Sequence, residues 1–134
     1  MKEVLAIIRP ERWTATKAAL GRLGLPAFTH RRVLGRGRAR GLKYIPRHGA
    51  APQTAVAWLP KRMIFWVVED HAVTSIVQAL VEANQTGRLG DGRIFVLPLE
   101  EAVRVRTGQR GVMAIRPQAV AGTVRQEEPH ADAR

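Results

Sequence analysis

The chain has 134 residues, of which 46% are hydrophobic, with no cysteine and a formal charge of +11 at pH 7. This length and composition predict one globular domain, and the lack of cysteine excludes disulfides, thiol chemistry and cysteine-ligated zinc. The only apolar run near the start is short and stops at Arg9 and Pro10, so we expect no secretory signal and no membrane insertion, which predicts a cytoplasmic protein.

The first elements are predicted from apolar runs and from the residues that end them. Residues 3–9 are rich in Val, Leu and Ile and predict a mostly buried strand. A helix is expected from an N-cap at Thr14 to Leu23, with Gly24 as its C-terminal glycine. A second strand is predicted over residues 27–34.

A basic stretch follows the second strand. Residues 31–49 contain seven Lys or Arg residues and no acid, and no sustained hydrophobic period runs through residues 36–57. A loop of this length is uncommon in a compact domain unless it is functional, so we predict a functional loop. Clustered positive charge is typical of a solvated surface or of a site for an anion such as nucleic acid, a membrane or a phosphorylated small molecule. Charge alone does not choose among them.

Periodic segments return in the second half of the chain. A third strand is predicted over residues 61–69, a helix over 71–84 with Asp70 as its N-cap, and a fourth strand over 93–97. The resulting order, βαββαβ, is the plan of an α+β ferredoxin-like domain. This plan leaves one face of an antiparallel sheet without helices, and alternate residues of 63–68 would line it with apolar side chains. An apolar sheet face has to be buried, so oligomerisation is predicted.

The end of the chain divides into a folded part and a tail. Valine alternates with arginine after Pro98, so an extended conformation would place Arg104 and Arg106 on one face. The last residues are polar and poor in large apolar side chains. The predicted domain therefore spans residues 1–115, and residues 116–134 are expected to form a disordered tail.

The segment GRLGDGR, residues 87–93, combines three glycines with two arginines. Glycine allows consecutive backbone N–H groups to approach a phosphate, and Arg88 or Arg93 would neutralise its charge. The alternative is a plain turn between a helix and a strand. The phosphate interpretation gains weight because Lys61 and a second Gly–Arg turn at residues 34–40 offer further anion-binding groups. Asp91 is expected to hold the turn by local hydrogen bonds.

Catalytic motifs are missing from this sequence. Its four histidines are scattered without metal-ligand spacing, and it has neither a nucleophile motif nor a Walker A sequence. We therefore predict a protein that is not an enzyme and that has no metal site of its own.

The longest motif is QTGRLGDGRIFVLPLEEAVRVRTGQRG, residues 85–111, which closely resembles the C-terminal signature of PII signal-transduction proteins. MKEVLAIIRP at the start is similar to the first strand of that family, VLGRGRARG to the entry of its T-loop and WLPKRM to the exit. The likeness runs from residue 1 to residue 115. The start and VLGRGR look most like the nitrogenase-linked branch.

The resemblance implies a homotrimer in which ATP or ADP occupies the clefts between neighbouring subunits. It implies a T-loop, residues 36–57, that docks onto a regulated target such as nitrogenase, an ammonium channel or a metabolic enzyme. The residues that it places around the adenine and ribose are Ile7, Thr29, Val67, Thr86 and Leu89. Those that it places at the phosphates are Gly37, Arg38, Gly90, Asp91, Gly92 and Arg93, with Arg104 and Arg106 reaching across the interface. Lys61 is implied to contact the phosphates or a 2-oxoglutarate carboxylate.

The chain departs from the family pattern in three ways. The loop between Gly37 and Lys61 is a few residues longer than usual, and Thr54 stands where some members carry a uridylylated tyrosine, so no such modification is expected. The third departure concerns a ligand of Mg²⁺. Family members hold Mg²⁺ and 2-oxoglutarate with the help of a glutamine, and Ala39 stands at that position here. A methyl group coordinates neither ligand, so nucleotide binding is better supported than binding of Mg²⁺ and 2-oxoglutarate.

Two other functions stay open. The charge and the basic loop are typical of a nucleic-acid-binding module, but the predicted apolar sheet face lacks the interleaved aromatic and basic residues of such proteins. A weak ATPase would need a base to activate water, and the sequence offers no evident one.

Overall fold

The computed structural model describes residues 1–25, 27–37 and 58–118. Its strands are β1 (Lys2–Ile8), β2 (Thr29–Gly35), β3 (Leu59–Val68) and β4 (Gly92–Pro98), and its helices are α1 (Trp13–Arg22), α2 (Val73–Asn84) and the short α3 (Val112–Ile115). The strands form one antiparallel sheet of order β2-β3-β1-β4. The predicted α+β ferredoxin-like fold is confirmed. Most of the predicted T-loop, including Arg38 and Ala39, and the tail from residue 119 lie outside the described residues.

β1 is central because its neighbours cover both of its edges. Ile7 stands opposite Met63 of β3 and Arg93 of β4. The alternation of side chains along a strand sends Val4, Ala6 and Ile8 to the helix-covered face, where they are buried. The core between sheet and helices consists of nine apolar side chains: Val4, Ala6, Ile8, Leu20, Ile64, Trp66, Val68, Ile76 and Leu80.

α1 ends as its sequence predicts. Gly24 has a φ of +71° and donates to the carbonyl of Gly21 at 3.0 Å, while the amide of Leu25 donates to Leu20 at 3.3 Å. This pair of bonds is a Schellman motif, which needs a left-handed residue and therefore favours glycine.

The predicted N-cap of α1 at Thr14 is wrong. A 3-10 turn over Pro10–Arg12 leads into the helix, which begins at Trp13 without a side-chain cap. The preset φ of proline and its missing N–H suit the first turn of a helix, so the helical path starts at Pro10.

The predicted N-cap of α2 at Asp70 is wrong as well. A 3-10 turn over Asp70–Ala72 precedes the helix, and the Asp70 carboxylate pairs with the amino group of Met1 at 2.9 Å. The Asp70 carboxylate therefore pairs with a group that is distant in the sequence and does not cap its own helix.

The predicted extended conformation of residues 100–108 stops at Arg104. The Arg104 carbonyl accepts from Gly108 at 2.7 Å, and its amide donates to Gln109 at 2.8 Å, which closes a tight turn. Gly108 has a φ of +71°, a conformation that glycine adopts without strain. The turn removes Arg106 from the strand-like alternation that was predicted for it.

The sheet face opposite the helices carries mainly apolar side chains. Leu5 stands in register with Phe65 and Phe95, and Ile7 with Met63, and Phe95 is 43% exposed. We call this surface the open face. The predicted apolar lining of the helix-free side is therefore present.

Among the described residues, no helix is long and apolar enough to cross a membrane.

Candidate functional site

The segment between α2 and β4, residues 86–92, is built around the carboxylate of Asp91. One carboxylate oxygen accepts the amide of Thr86 at 2.7 Å and the amide of Gly87 at 3.0 Å. The other accepts the hydroxyl of Thr86. The Thr86 hydroxyl, followed by the Thr86 amide, lowers the pKa of Asp91 to about 2, so the carboxylate is charged at neutral pH. We call this segment the glycine turn, and the predicted role of Asp91 in holding it is confirmed.

Two glycines allow the turn to lie against β1 and its neighbours. At Gly92, with a φ of +113°, an added Cβ would lie 1.8 Å from the Ile7 carbonyl oxygen. At Gly90, with a φ of +93°, it would lie 3.5 Å from the terminal nitrogens of both Arg9 and Lys61. The first position excludes any side chain, and the second keeps the turn open beside two cations.

Arg9 and Lys61 attach the turn to the end of the sheet. Arg9 Nη2 donates to the carbonyl of Leu89 at 2.7 Å, and its guanidinium lies 3.4 Å from Asp91 Oδ1. Lys61 Nζ donates to the carbonyl of Gly90 at 2.6 Å. Burial, followed by the neighbouring charge of Arg9, lowers the pKa of Lys61.

Arg9 was not among the predicted site residues. A signal for it was present, because Arg9 directly follows the apolar run of β1 and that run pairs with the strand that leaves the turn. The pairing of Ile8 with Gly92 places the end of β1 beside the turn. Only the strand order, however, makes the two segments neighbours.

Two consecutive amides of the turn have no hydrogen-bond acceptor in the chain. Within the part of the chain that the structure describes, the N–H groups of Leu89 and Gly90 donate to no backbone or side-chain oxygen. Unpaired amides in a glycine-rich turn are a feature of anion-binding sites, and Arg9 and Lys61 lie on the carbonyl side of the same turn. The turn can therefore accept an anion without rearranging its own hydrogen bonds.

Two clefts flank the glycine turn. One, of about 320 Å³, is basic and is lined by Arg9, Glu11, Arg12, Thr86 and Arg88. The other, of about 360 Å³, is mainly apolar and extends from Gly92 and Arg93 to Val77, Val81 and Ile94. The turn thus has charged and apolar surfaces on its two sides.

The structure brings most of the predicted phosphate and nucleoside contacts to one place. The residues that meet at the glycine turn are Ile7, Lys61, Thr86, Leu89, Gly90, Asp91, Gly92 and Arg93. Thr29 and Val67 lie on the open face, opposite Phe65 and Glu3. Gly37 is exposed two residues after the end of β2.

Arg104 and Arg106 do not meet the turn within the chain. The turn adjoins the Ile8 end of β1, whereas β4 leaves the sheet beside Lys2. These ends are about 20 Å apart, because a strand rises about 3.3 Å per residue. Arg104 instead donates to Gln109 at 2.9 Å and to the carbonyl of Ala114 at 3.2 Å.

The described residues contain no cluster of three or more His, Asp or Glu side chains that would hold a metal ion. Asp91 directs its oxygens to Thr86, Gly87 and Arg9, so its carboxylate is already occupied by donors. Any Mg²⁺ at this turn would depend on ligands from a nucleotide rather than from these side chains.

Comparisons with known proteins agree with the motifs and the fold. A family model described as Nitrogen regulatory protein P-II matches residues 1–109. A nitrogen fixation nifHD region GlnB-like protein 2 of Methanothermobacter marburgensis is 43% identical over 121 residues, and the alignment covers 86% of this chain and 100% of the relative. The nitrogen regulatory protein P-II of Rhodospirillum rubrum is 44% identical over 115 residues, with coverage of 86% and 100%. The chain therefore belongs to the PII family of nitrogen regulatory proteins.

Proposed function

We propose that this protein binds ATP or ADP in clefts between subunits and controls a target protein through residues 36–57. Membership of the PII family supports a signalling role in nitrogen regulation. The observation that carries the proposal of nucleotide binding is the glycine turn, where the unpaired amides of Leu89 and Gly90 belong to the same short segment as the carbonyls that Arg9 and Lys61 contact. Phosphate oxygens are acceptors that suit both the amides and the cations.

The clefts are proposed to lie between subunits because one chain cannot complete the site. The glycine turn adjoins one end of β1, and the segment that carries Arg104 and Arg106 follows β4 from the other end, about 20 Å away by the rise of a strand. A second copy is able to bring its own Arg104 to the turn of the first. The open face supports such association, because Leu5, Phe65 and Phe95 form an apolar surface that water would otherwise cover.

The switch is proposed to depend on the number of phosphates. ATP and ADP place different charge beside Lys61, which lies on β3 directly after the loop of residues 36–57. A ligand shifts a loop between states only if it binds those states with different affinity. The target is proposed to be a protein of nitrogen metabolism, since relatives carry names from nitrogen fixation and nitrogen regulation.

The proposed role is regulatory and includes no catalytic step. Binding of 2-oxoglutarate is less well supported than binding of ATP or ADP. Because Ala39 offers no oxygen ligand, we expect 2-oxoglutarate to change ATP affinity little in the presence of Mg²⁺. Ala39→Gln restores an amide oxygen at this position, and we expect it to increase that effect. Calorimetric titration of ATP with and without 2-oxoglutarate measures both proteins.

Calorimetry with ATP, ADP and adenosine tests the central claim. We expect ATP and ADP to bind, and Arg104→Ala to weaken ATP binding by roughly 1.5–3 kcal/mol through the loss of a charge-assisted contact. Arg110→Ala is the matched control, because Arg110 pairs with Glu101 at 2.9 Å in the same loop. A well-folded trimer that binds no adenine nucleotide would contradict the proposal.

A further inference from the structure

The guanidinium group of Arg104 is occupied by the chain's own C-terminal segment, residues 112–118. Its Nε donates to the carbonyl of Ala114 at 3.2 Å, and Nη2 donates to the carbonyl of Arg116. Its Nη1 donates to Gln109 at 2.9 Å. A guanidinium has five N–H donors, and all three of its nitrogens already have a partner here. Arg104 is also half-buried, and its contacts with Ala114 and Gln109 are partly shielded from water.

Arg106 joins the same network. Its Nη2 donates to the side-chain oxygen of Gln118, whose amide nitrogen donates to Gln109 at 2.8 Å. The two arginines are thus connected through Gln109 and Gln118. Arg104 and Arg106 therefore both donate to the C-terminal segment, although Arg106 lies in the turn of residues 105–107 and Arg104 precedes it.

An ion pair with the sheet holds this segment in place. Arg116 donates to the two carboxylate oxygens of Glu69 at 2.8 and 3.1 Å. Glu69 directly follows β3, so the pair fixes the C-terminal segment to the body of the fold. The same hydrogen bond from Arg116 lowers the pKa of Glu69, as expected for a carboxylate that is paired with a cation.

We propose that the C-terminal segment is an autoinhibitory element that competes with nucleotide phosphates for Arg104 and Arg106. This inference rests on the proposed function, in which these arginines serve a nucleotide bound to a neighbouring copy. The carbonyls of Ala114 and Arg116 occupy donors that a phosphate would need for bidentate binding. Bidentate binding of a phosphate through Nε and Nη2 of Arg104 therefore requires the segment to leave, and the Glu69–Arg116 pair sets how readily it leaves.

Competition is reciprocal. If release of the segment favours the phosphate-bound state, then bound phosphate favours the released segment by the same factor. Nucleotide binding would thus release residues 112–118 from Arg104. A phosphate-dependent signal would then appear in a second segment of the chain besides residues 36–57.

The test is ATP titration of full-length variants. Arg116→Gln breaks the pair with Glu69, and we expect ATP to bind about two- to fivefold more tightly, the range of an exposed ion pair. Simple electrostatics predicts the opposite, because this variant has lost one positive charge. Arg110→Gln makes the same charge change at the ion pair with Glu101, and we expect no tightening. Adenosine, which lacks phosphate, is expected to bind Arg116→Gln and the unchanged protein equally.

Hydrogen exchange supplies the second measurement. The amides of Ala114 and Arg116 donate to Gly111 at 3.0 Å and to Val112 at 3.2 Å, and we expect saturating ATP to accelerate their exchange in the unchanged protein. One outcome separates the two proposals. If ATP binds and Arg104→Ala weakens binding, the nucleotide site stands. If Arg116→Gln then leaves ATP affinity unchanged and ATP leaves the exchange rates unchanged, the autoinhibitory role is overturned. If ATP fails to bind every variant, the proposed function fails first.

Discussion

Asp91 and Gly92 shape the glycine turn in different ways, although they are adjacent. Asp91 acts through its side chain, which accepts two backbone amides and a hydroxyl. Gly92 acts because it has no side chain, since the Ile7 carbonyl oxygen occupies the space where a Cβ would lie. Hydrogen bonds and steric exclusion together hold the neighbouring amides in a fixed direction, which is the property that an anion-binding turn requires.

At Gly92 we predict a large loss of stability on substitution by alanine. The added Cβ would lie 1.8 Å from a carbonyl oxygen, so β1 and β4 would have to separate locally, and we expect a cost of about 3 kcal/mol or more. Gly87→Ala is the control, because Gly87 also has a positive φ but has open space around it. There we expect only about 1–2 kcal/mol. Equal urea unfolding free energies for the two variants would contradict the steric explanation.

At Asp91 we predict a specific pH dependence. The folded-state pKa is lowered from 3.8 to about 2, so the carboxylate adds stability above pH 3.8 that is lost as the pH falls through 2. The stability gap between the unchanged protein and Asp91→Asn should therefore narrow over that interval, and urea unfolding at several pH values measures it. A constant gap would show that the carboxylate does not gain its stability from charge.

The hydroxyl of Thr86 is the largest cause of that pKa shift. Thr86→Val removes this donor but keeps the shape of the side chain. We expect the pKa of Asp91, followed by carboxyl NMR, to rise in this variant toward its ordinary value. An unchanged pKa would assign the shift to the backbone amides instead.

The two long helices meet through a buried polar pair. Thr16 and Asn84 are 0% and 6% exposed; the amide nitrogen of Asn84 donates to the Thr16 hydroxyl at 3.0 Å and to the carbonyl of Leu80 at 2.9 Å. Thr16 in turn donates to the carbonyl of Arg12 at 2.8 Å. The pair fixes the register of α1 against α2, and α2 leads directly into the glycine turn.

For this helix pair we predict that Thr16→Val costs about 1–3 kcal/mol, because the buried amide of Asn84 loses a partner. Thr14→Val changes an exposed threonine of the same helix and is expected to have little effect. Replacing both partners, as Thr16→Val with Asn84→Leu, is expected to cost less than the single change. Chemical unfolding of these proteins and of Asn84→Leu alone decides this, and a double variant as unstable as the sum of the two single variants would refute the pairing argument.

At the scale of the whole molecule, the open face and the divided site favour association. The open face displays Leu5, Phe65 and Phe95 side by side, and Arg104 lies at the far end of the sheet from the glycine turn. The proposed homotrimer accounts for both features, because copies of the chain would bury their open faces and exchange arginines.

We therefore predict that Phe65→Lys converts the trimer to a folded monomer, because it introduces a charge at the centre of the apolar surface. The monomer is expected to lose ATP binding, since no neighbour supplies Arg104. Leu23→Lys, at an exposed apolar position that follows α1, is the control and is expected to stay trimeric. Analytical ultracentrifugation and calorimetry measure both properties, and a monomer that binds ATP at full affinity would contradict the shared site.

The kind and order of the elements could be predicted from the sequence, because they depend on neighbours along the chain. Alternating apolar residues in β1 and β3, the helical spacing of α2 and the glycine after α1 are local signals. The hydrogen bonds of Asp91 to Thr86 and Gly87 span at most five residues, so local reasoning anticipated them too. The resemblance to the PII family came from the same segments.

The tertiary structure decided the features that depend on distant contacts. The strand order places Arg9 against residues eighty or more positions away in the sequence. The same order places Arg104 beyond the end of the sheet that is opposite the glycine turn. It also pairs Asp70 with the chain start and Arg116 with Glu69. A sequence pattern specifies which way a side chain faces on its own element, whereas only the packing of elements specifies which partner it meets.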